Sequence, residues 1–271
     1  MRSLLRKSAA VGLPVVALSL GLAGSAQAEY LPNVSNLNFA DYTGIAPKGE
    51  FSSVDPVGWT GGTGLIFIDG PSASGQGASG STYLQTYGPF PDPPIPGNYV
   101  EADGNPEFES GFNQSISGLT VGQTYTLSFY QAAGQQTTFT GDTTNQWIVA
   151  LGTSGFTVTS SGGQGTYSSS DPDASIVETP VMNVASGSYH PWEYVSISLV
   201  ADATTDLLSF LAWGDGGSTA NEPPIAFLSG VNSPDVLVPV PEPAALSVLG
   251  VGLLGFGGVM LRRRARRGSV A

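Results

Sequence analysis

One histidine, no cysteine and 21 acidic residues set the chemistry open to this 271-residue chain. A Ser-His-Asp or Cys-His device needs a base that takes the nucleophile's proton. Only His190 could serve, and it stands in Gly-Ser-Tyr-His-Pro-Trp at the mouth of a strand pattern. No Gly-x-Ser-x-Gly elbow occurs, so His190 reads as a turn residue rather than a catalytic base. Cysteine-ligated zinc, disulfides and multi-histidine metal sites are excluded by composition. A glycoside hydrolase needs only two facing carboxylates, and the acids to supply them are present. The sequence is therefore read as non-enzymatic, with a secreted glycoside hydrolase as the alternative.

Two residue sets point to binding. Glu101, Asp103, Asn105, Glu107 and Glu109 alternate, and on an extended segment they would share one face. Such an acidic row suits Ca²⁺, which takes about six to eight oxygen ligands. It is not an EF-hand, because Phe108 and Gln114 stand where that loop needs Gly and Glu. The second set is aromatic. Flat rings stack on the apolar C–H faces of sugars while amides and carboxylates hold the hydroxyls. Trp59, Tyr99 and Trp192 lie beside loops and are the expected sugar-contacting rings. Trp147 and Trp213 lie inside strand patterns and are expected in the core.

The elements that must position these residues are short strands. Apolar alternation marks Thr124–Gln131 and Trp192–Ala201, with further strands expected at Leu65–Asp69, Ser81–Tyr87, Gln146–Leu151, Gly155–Thr159, Leu207–Trp213 and Ile225–Val231. No long segment has the 3.6 period of a helix. Gly70–Ser81 and Ser160–Ser170 are Gly/Ser-rich and Pro89–Pro96 is proline-rich, so all three read as loops. The pattern predicts one all-β domain over 29–236, an antiparallel β-sandwich or jelly roll.

The basic residues lie at the ends. Between Glu29 and Pro241 there are 20 acidic residues and one cation, Lys48, a net charge of −19. That excludes nucleic acid as a partner. At the N-terminus Arg2, Arg6 and Lys7 precede an apolar stretch and Ala26-Gln27-Ala28. This is the pattern of a secretory signal peptide over 1–28, with Ala26 and Ala28 at the positions a signal peptidase reads. At the C-terminus a Pro-rich spacer, 237–243, leads into an uncharged apolar stretch over 244–261 and a basic tail over 262–271. The apolar stretch has the length of a transmembrane helix, and the positive-inside rule keeps the tail cytoplasmic.

Pro241-Glu242-Pro243, an apolar helix and the cluster Arg262, Arg263, Arg264 together resemble the PEP-CTERM sorting signal of exopolysaccharide-making Gram-negative bacteria. The resemblance implies an exosortase-type membrane enzyme as partner and export to the cell surface or matrix, with inner-membrane anchoring until processing. The body has a second likeness. Asn38-Phe39, Gly58-Trp59, Ala102-Asp103-Gly104-Asn105, the stretch Phe112 to Phe129 and Pro223 to Val231 resemble galactose-binding-like jelly rolls. Such relatives carry an Asp late in the last strand where this chain has Ser229. The expectation is a structural or carbohydrate-binding surface protein, with exopolysaccharide as its possible partner.

Overall fold

The computed structural model describes residues 29–43, 48–50, 56–61, 64–70, 84–88, 91–161, 164–215 and 223–233. All fall within one compact unit, Ala28–Pro241. The signal-peptide residues Ala26 and Ala28, the Pro241-Glu242-Pro243 motif, the apolar stretch 244–261 and the C-terminal arginines lie outside the described residues. Among the described residues no helix is long and apolar enough to cross a membrane.

The strands are β1 (Glu29–Tyr30), β2 (Lys48–Glu50), β3 (Thr60–Gly61), β4 (Ile66–Asp69), β5 (Tyr99–Asp103), β6 (Gly111–Ser117), β7 (Thr124–Gln135), β8 (Thr143–Gly152), β9 (Phe156–Ser161), β10 (Gln164–Ser169), β11 (Ser175–Glu178), β12 (Met182–Val184), β13 (Tyr189–Val200), β14 (Thr205–Asp215) and β15 (Pro224–Ser229). One short 3-10 turn, Pro106–Phe108, follows β5. The first sheet runs β13-β7-β15-β5-β4-β2, with β1 also paired to β7. The second runs β11-β8-β14-β6-β3, with β12 also paired to β8. Every pairing is antiparallel except β1 with β7, which is parallel. From β5 to β8, and again from β13 to β15, successive strands alternate between the two sheets.

Period-2 alternation explains which side chains face inward. Tyr125, Leu127 and Phe129 of β7 meet Phe112, Trp147, Leu208 and Phe210 of the facing sheet in one buried cluster. Phe112 and Phe210 are cross-strand partners stacked at 5.1 Å. Phe129 meets Phe210 edge-on at 5.5 Å from the opposite sheet. The Trp147 indole N–H donates to the Phe227 carbonyl across the interior at 3.1 Å, so a buried donor is satisfied where it would otherwise destabilise the core.

Two sequence expectations change here. The segment 81–87 is not a strand where it is described: Thr86 makes only an isolated bridge to Gln136. The expected loop 160–170 contains strand β10, paired residue for residue with β9. Its Ser, Thr and Gly residues give no apolar alternation. The hairpin is strand-like because its backbone is paired and because Tyr167 packs on Trp213 at 5.1 Å.

Candidate functional site

The acidic row does not form. Strand β5 ends at Asp103, and Asn105 then caps the 3-10 turn by accepting the Glu107 backbone N–H at 3.0 Å. Glu101 and Asp103 are buried, whereas Glu107 and Glu109 are exposed on the far side of the turn. Pro106 causes the break, because it favours the start of a helical turn and cannot continue the ladder. Among the described residues no three acidic or histidine side chains are grouped as a metal site.

The acids that remain together lie on the outer face of the first sheet. Asp69 is paired in register with Tyr99, and Glu101 with Phe67 and Phe227. The Asp69 carboxyl is the nearest charge acting on Glu101. Complete burial pushes Glu101 well above the usual carboxylate range, and the neighbouring charges of Asp69 and Asp103 add to this. Burial likewise raises Asp103 from 3.8 to about 7, partly offset by the Asn105 backbone N–H it accepts at 2.8 Å. Burial, then the charges of Asp69, Glu101 and Asp92, hold the Tyr99 hydroxyl above its ordinary range. Lys48 stands opposite Asp69 in the β2–β4 ladder.

Of the three expected sugar-contacting rings, the structure brings two together. Tyr99 and Trp192 meet edge-on at 5.8 Å and both contact Phe227. Tyr99 is buried, however, and the Trp192 indole N–H is taken by the Pro91 carbonyl at 2.9 Å. The proline-rich segment thus meets this face at Pro91, leaving Trp192 half-buried. Trp59 is elsewhere and is 2% exposed; its N–H donates to the Ser35 and Asn36 carbonyls. It is a core residue, because a turn at Pro56–Trp59 directs it inward. Trp147 is buried as expected. His190 sits at the bulge in β13, its Nε2 3.4 Å from Glu193 Oε2.

A second acid group lies at the β13–β14 turn. Asp206 is buried and its Oδ2 accepts the Asp202 backbone N–H at 3.2 Å. Desolvation, then hydrogen bonds to Asp206 and Asp171, raise Asp202 to about 7. Asp171 is held below the usual range by the Thr153 hydroxyl and backbone N–H, at 2.7 and 2.6 Å.

An accessible cavity of about 270 Å³ lies on the outer face of the second sheet, beneath the β9–β10 hairpin. Its floor is Gly111 and Asn113 of β6 with Ser209 and Leu211 of β14; Phe156 of the hairpin forms a wall and Glu109 the rim. Small floor residues keep it open. Phe156 is fixed edge-on against Tyr167 at 6.2 Å, and Tyr167 is in turn held by Trp213 and by a hydrogen bond from its hydroxyl to Glu178. The hairpin sits so closely that a Cβ on Gly165 would lie 2.5 Å from Pro106 Cβ and 2.9 Å from Trp213. Ser209 is 2% exposed, and its hydroxyl has no hydrogen-bond partner. Polar groups converging on a partly apolar concavity are the usual make-up of a ligand site. Of these residues the sequence reading singled out Glu109 alone, and for a different role. Ser209 did carry a signal, being the one polar residue within Leu-Leu-Ser-Phe-Leu-Ala-Trp, 207–213.

No family model matches the chain, and no curated protein matches it. Among solved structures, the enzymatically active domain of bacteriophage CBA120 tailspike protein 4 is 14% identical over 70% of this chain, with a TM-score of 0.33. The CBM22-1-GH10 modules of a Clostridium thermocellum endo-1,4-beta-D-xylanase, complexed with xylohexaose, are 11% identical over 72%, also at 0.33. The matches span 21% and 27% of those chains. A family 16 carbohydrate-binding module is 12% identical over 60% of this chain and 94% of its own, with a TM-score of 0.26.

Proposed function

We propose that the body, residues 29–236, is a non-catalytic jelly roll that binds carbohydrate, exported to the cell surface or extracellular matrix. The signal peptide would direct export, and the tail from Pro241 would be processed by an exosortase-type membrane enzyme. Alternation of strands between the sheets supports the jelly-roll reading. The observation that carries the binding reading is the cavity, whose lining combines Ser209, with a buried hydroxyl that has no partner, with Asn113 and the aromatic Phe156. A hydroxyl and an amide satisfy sugar hydroxyls, and a ring covers a sugar's apolar face. The volume falls just below the roughly 300 Å³ at which small-molecule pockets begin, which suits a single sugar ring. The face bearing Tyr99 and Trp192 suits a structural role better.

The test is glycan binding by the full chain in mild detergent, with Ca²⁺ and with EDTA. The EDTA arm examines the calcium expectation, whose geometric basis in an acidic row is lost. Two variants separate binding from folding. Ser209→Ala removes a hydroxyl the fold does not use, so stability should hold or rise while affinity falls about tenfold, the worth of one lost hydrogen bond of about 1.4 kcal/mol. Gly155→Ala places a methyl 3.8 Å from Ser209 Oγ, an ordinary contact, and narrows the cavity. Glycan binding unchanged by both variants would remove the cavity from the reading.

A further inference from the structure

Charge around the cavity narrows its ligand. Resting on the carbohydrate reading, we infer that the cavity takes an amino sugar, a glycan unit bearing a free ammonium group, with Glu109 as the residue that selects it. Three observations converge. Glu109 lines the cavity at its exposed rim, and among the described residues no hydrogen bond to its carboxylate is made. Its backbone adopts the left-handed conformation, φ 50° and ψ 43°. Gly or Asn would hold that conformation at less cost, so an acidic residue stands at this lining position against a local preference. Finally, the one cation between residues 29 and 241, Lys48, belongs to β2 of the first sheet, whereas the cavity lies on the second.

These facts sort the sugar classes. A uronate or sulfated unit would bring an anion to a carboxylate within a body of net charge −19, and like charges at an interface reject a ligand. A neutral unit would be accepted through Ser209, Asn113 and Phe156 alone. An ammonium would add a charge-assisted hydrogen bond to Glu109, aided by the field of the whole body. Glu109 contributes specificity more than affinity, because a rim ion pair is partly screened.

The experiment titrates the full chain with three short oligosaccharides of matched length: glucosamine, N-acetylglucosamine and glucuronate oligomers. Glucosamine oligomers should bind about fivefold more tightly than the acetylated ones, the upper range for an exposed pair, and glucuronate weakest. The preference should shrink between about 0.1 and 1 M salt as the Debye length falls from about 10 to about 3 Å. Glu109→Gln should equalise the amino and acetylated oligomers, and Glu109→Lys should turn the preference toward glucuronate. Position 109 is exposed, so neither variant should alter the thermal midpoint. Equal binding of amino and acetylated oligomers by the unmodified chain, unaltered by either variant, would overturn this inference and leave the carbohydrate reading standing. Failure of all three oligomers, and of the wider glycan set, would overturn both.

Discussion

Replacing Asp103 by Asn should change how stability depends on pH while leaving the fold intact. Asp103 is 1% exposed, and its carboxyl is raised from 3.8 to about 7, chiefly by burial. Such an acid takes up a proton on folding between those two values, so its contribution is fully present below pH 4 and is lost as pH rises through about 7. One proton is worth about 1.4 kcal/mol per pH unit, so the span corresponds to roughly 4 kcal/mol as an upper figure. Asn keeps the Oδ1 acceptor for the Asn105 N–H and abolishes the charge. It also relieves Glu101 of one nearby negative charge, an effect of the same sign. Urea unfolding of both proteins at pH 4.5, 6 and 8 would read the difference. The variant should match the parent near pH 4.5 and exceed it by a few kcal/mol at pH 8. The variant should still weaken with rising pH, though less steeply than the parent, because Glu101 and Asp202 are raised as well. Parallel stability curves for parent and variant across the whole range would refute the assignment of a buried, protonated Asp103.

Two further substitutions probe the frame. Trp147→Phe removes the indole donor to the Phe227 carbonyl and leaves that buried acceptor without its donor; it should cost about 1 to 3 kcal/mol in urea unfolding, with far-UV dichroism unchanged. Gly214→Ala would set a Cβ 2.4 Å from the Thr144 carbonyl oxygen and 2.6 Å from Pro224 Cβ. Backbone on either side would have to move, and a loss of about 1 to 3 kcal/mol is expected, read as a lowered thermal midpoint.

What the sequence revealed follows from how local each signal is. Strands β7 and β13 were legible as alternation, whereas β14 and β15 were legible as short apolar runs because both of their faces are largely covered. Strand β10 was not, since Gly-Thr-Tyr-Ser-Ser is held by pairing to β9 and by one ring on Trp213. The alternation of Glu101 to Glu109 was real as a spacing and misleading as a surface. It assumes an unbroken strand, and Pro106 turns the chain in its middle. Trp59 misled in the opposite sense: a place beside a loop suggests exposure, whereas the turn drives the ring into the core. The neighbourhood of Phe156 and Ser209 could not be read at all, because it arises when a hairpin folds over a distant strand.

That neighbourhood also argues against an incidental packing gap. A gap left by imperfect packing is lined by apolar groups and stays dry. Here the floor holds a serine whose hydroxyl finds no partner, at a position where the flanking residues of the strand are Leu, Phe, Leu and Ala. Alanine at position 209 would fit the same space and relieve an unsatisfied buried hydroxyl, which costs about 1 to 3 kcal/mol. Buried polar groups kept at a cost to the fold concentrate at sites that meet a ligand. On the opposite face burial pushes Glu101 well above the usual carboxylate range and Asp103 to about 7, and the Trp192 N–H is taken by Pro91.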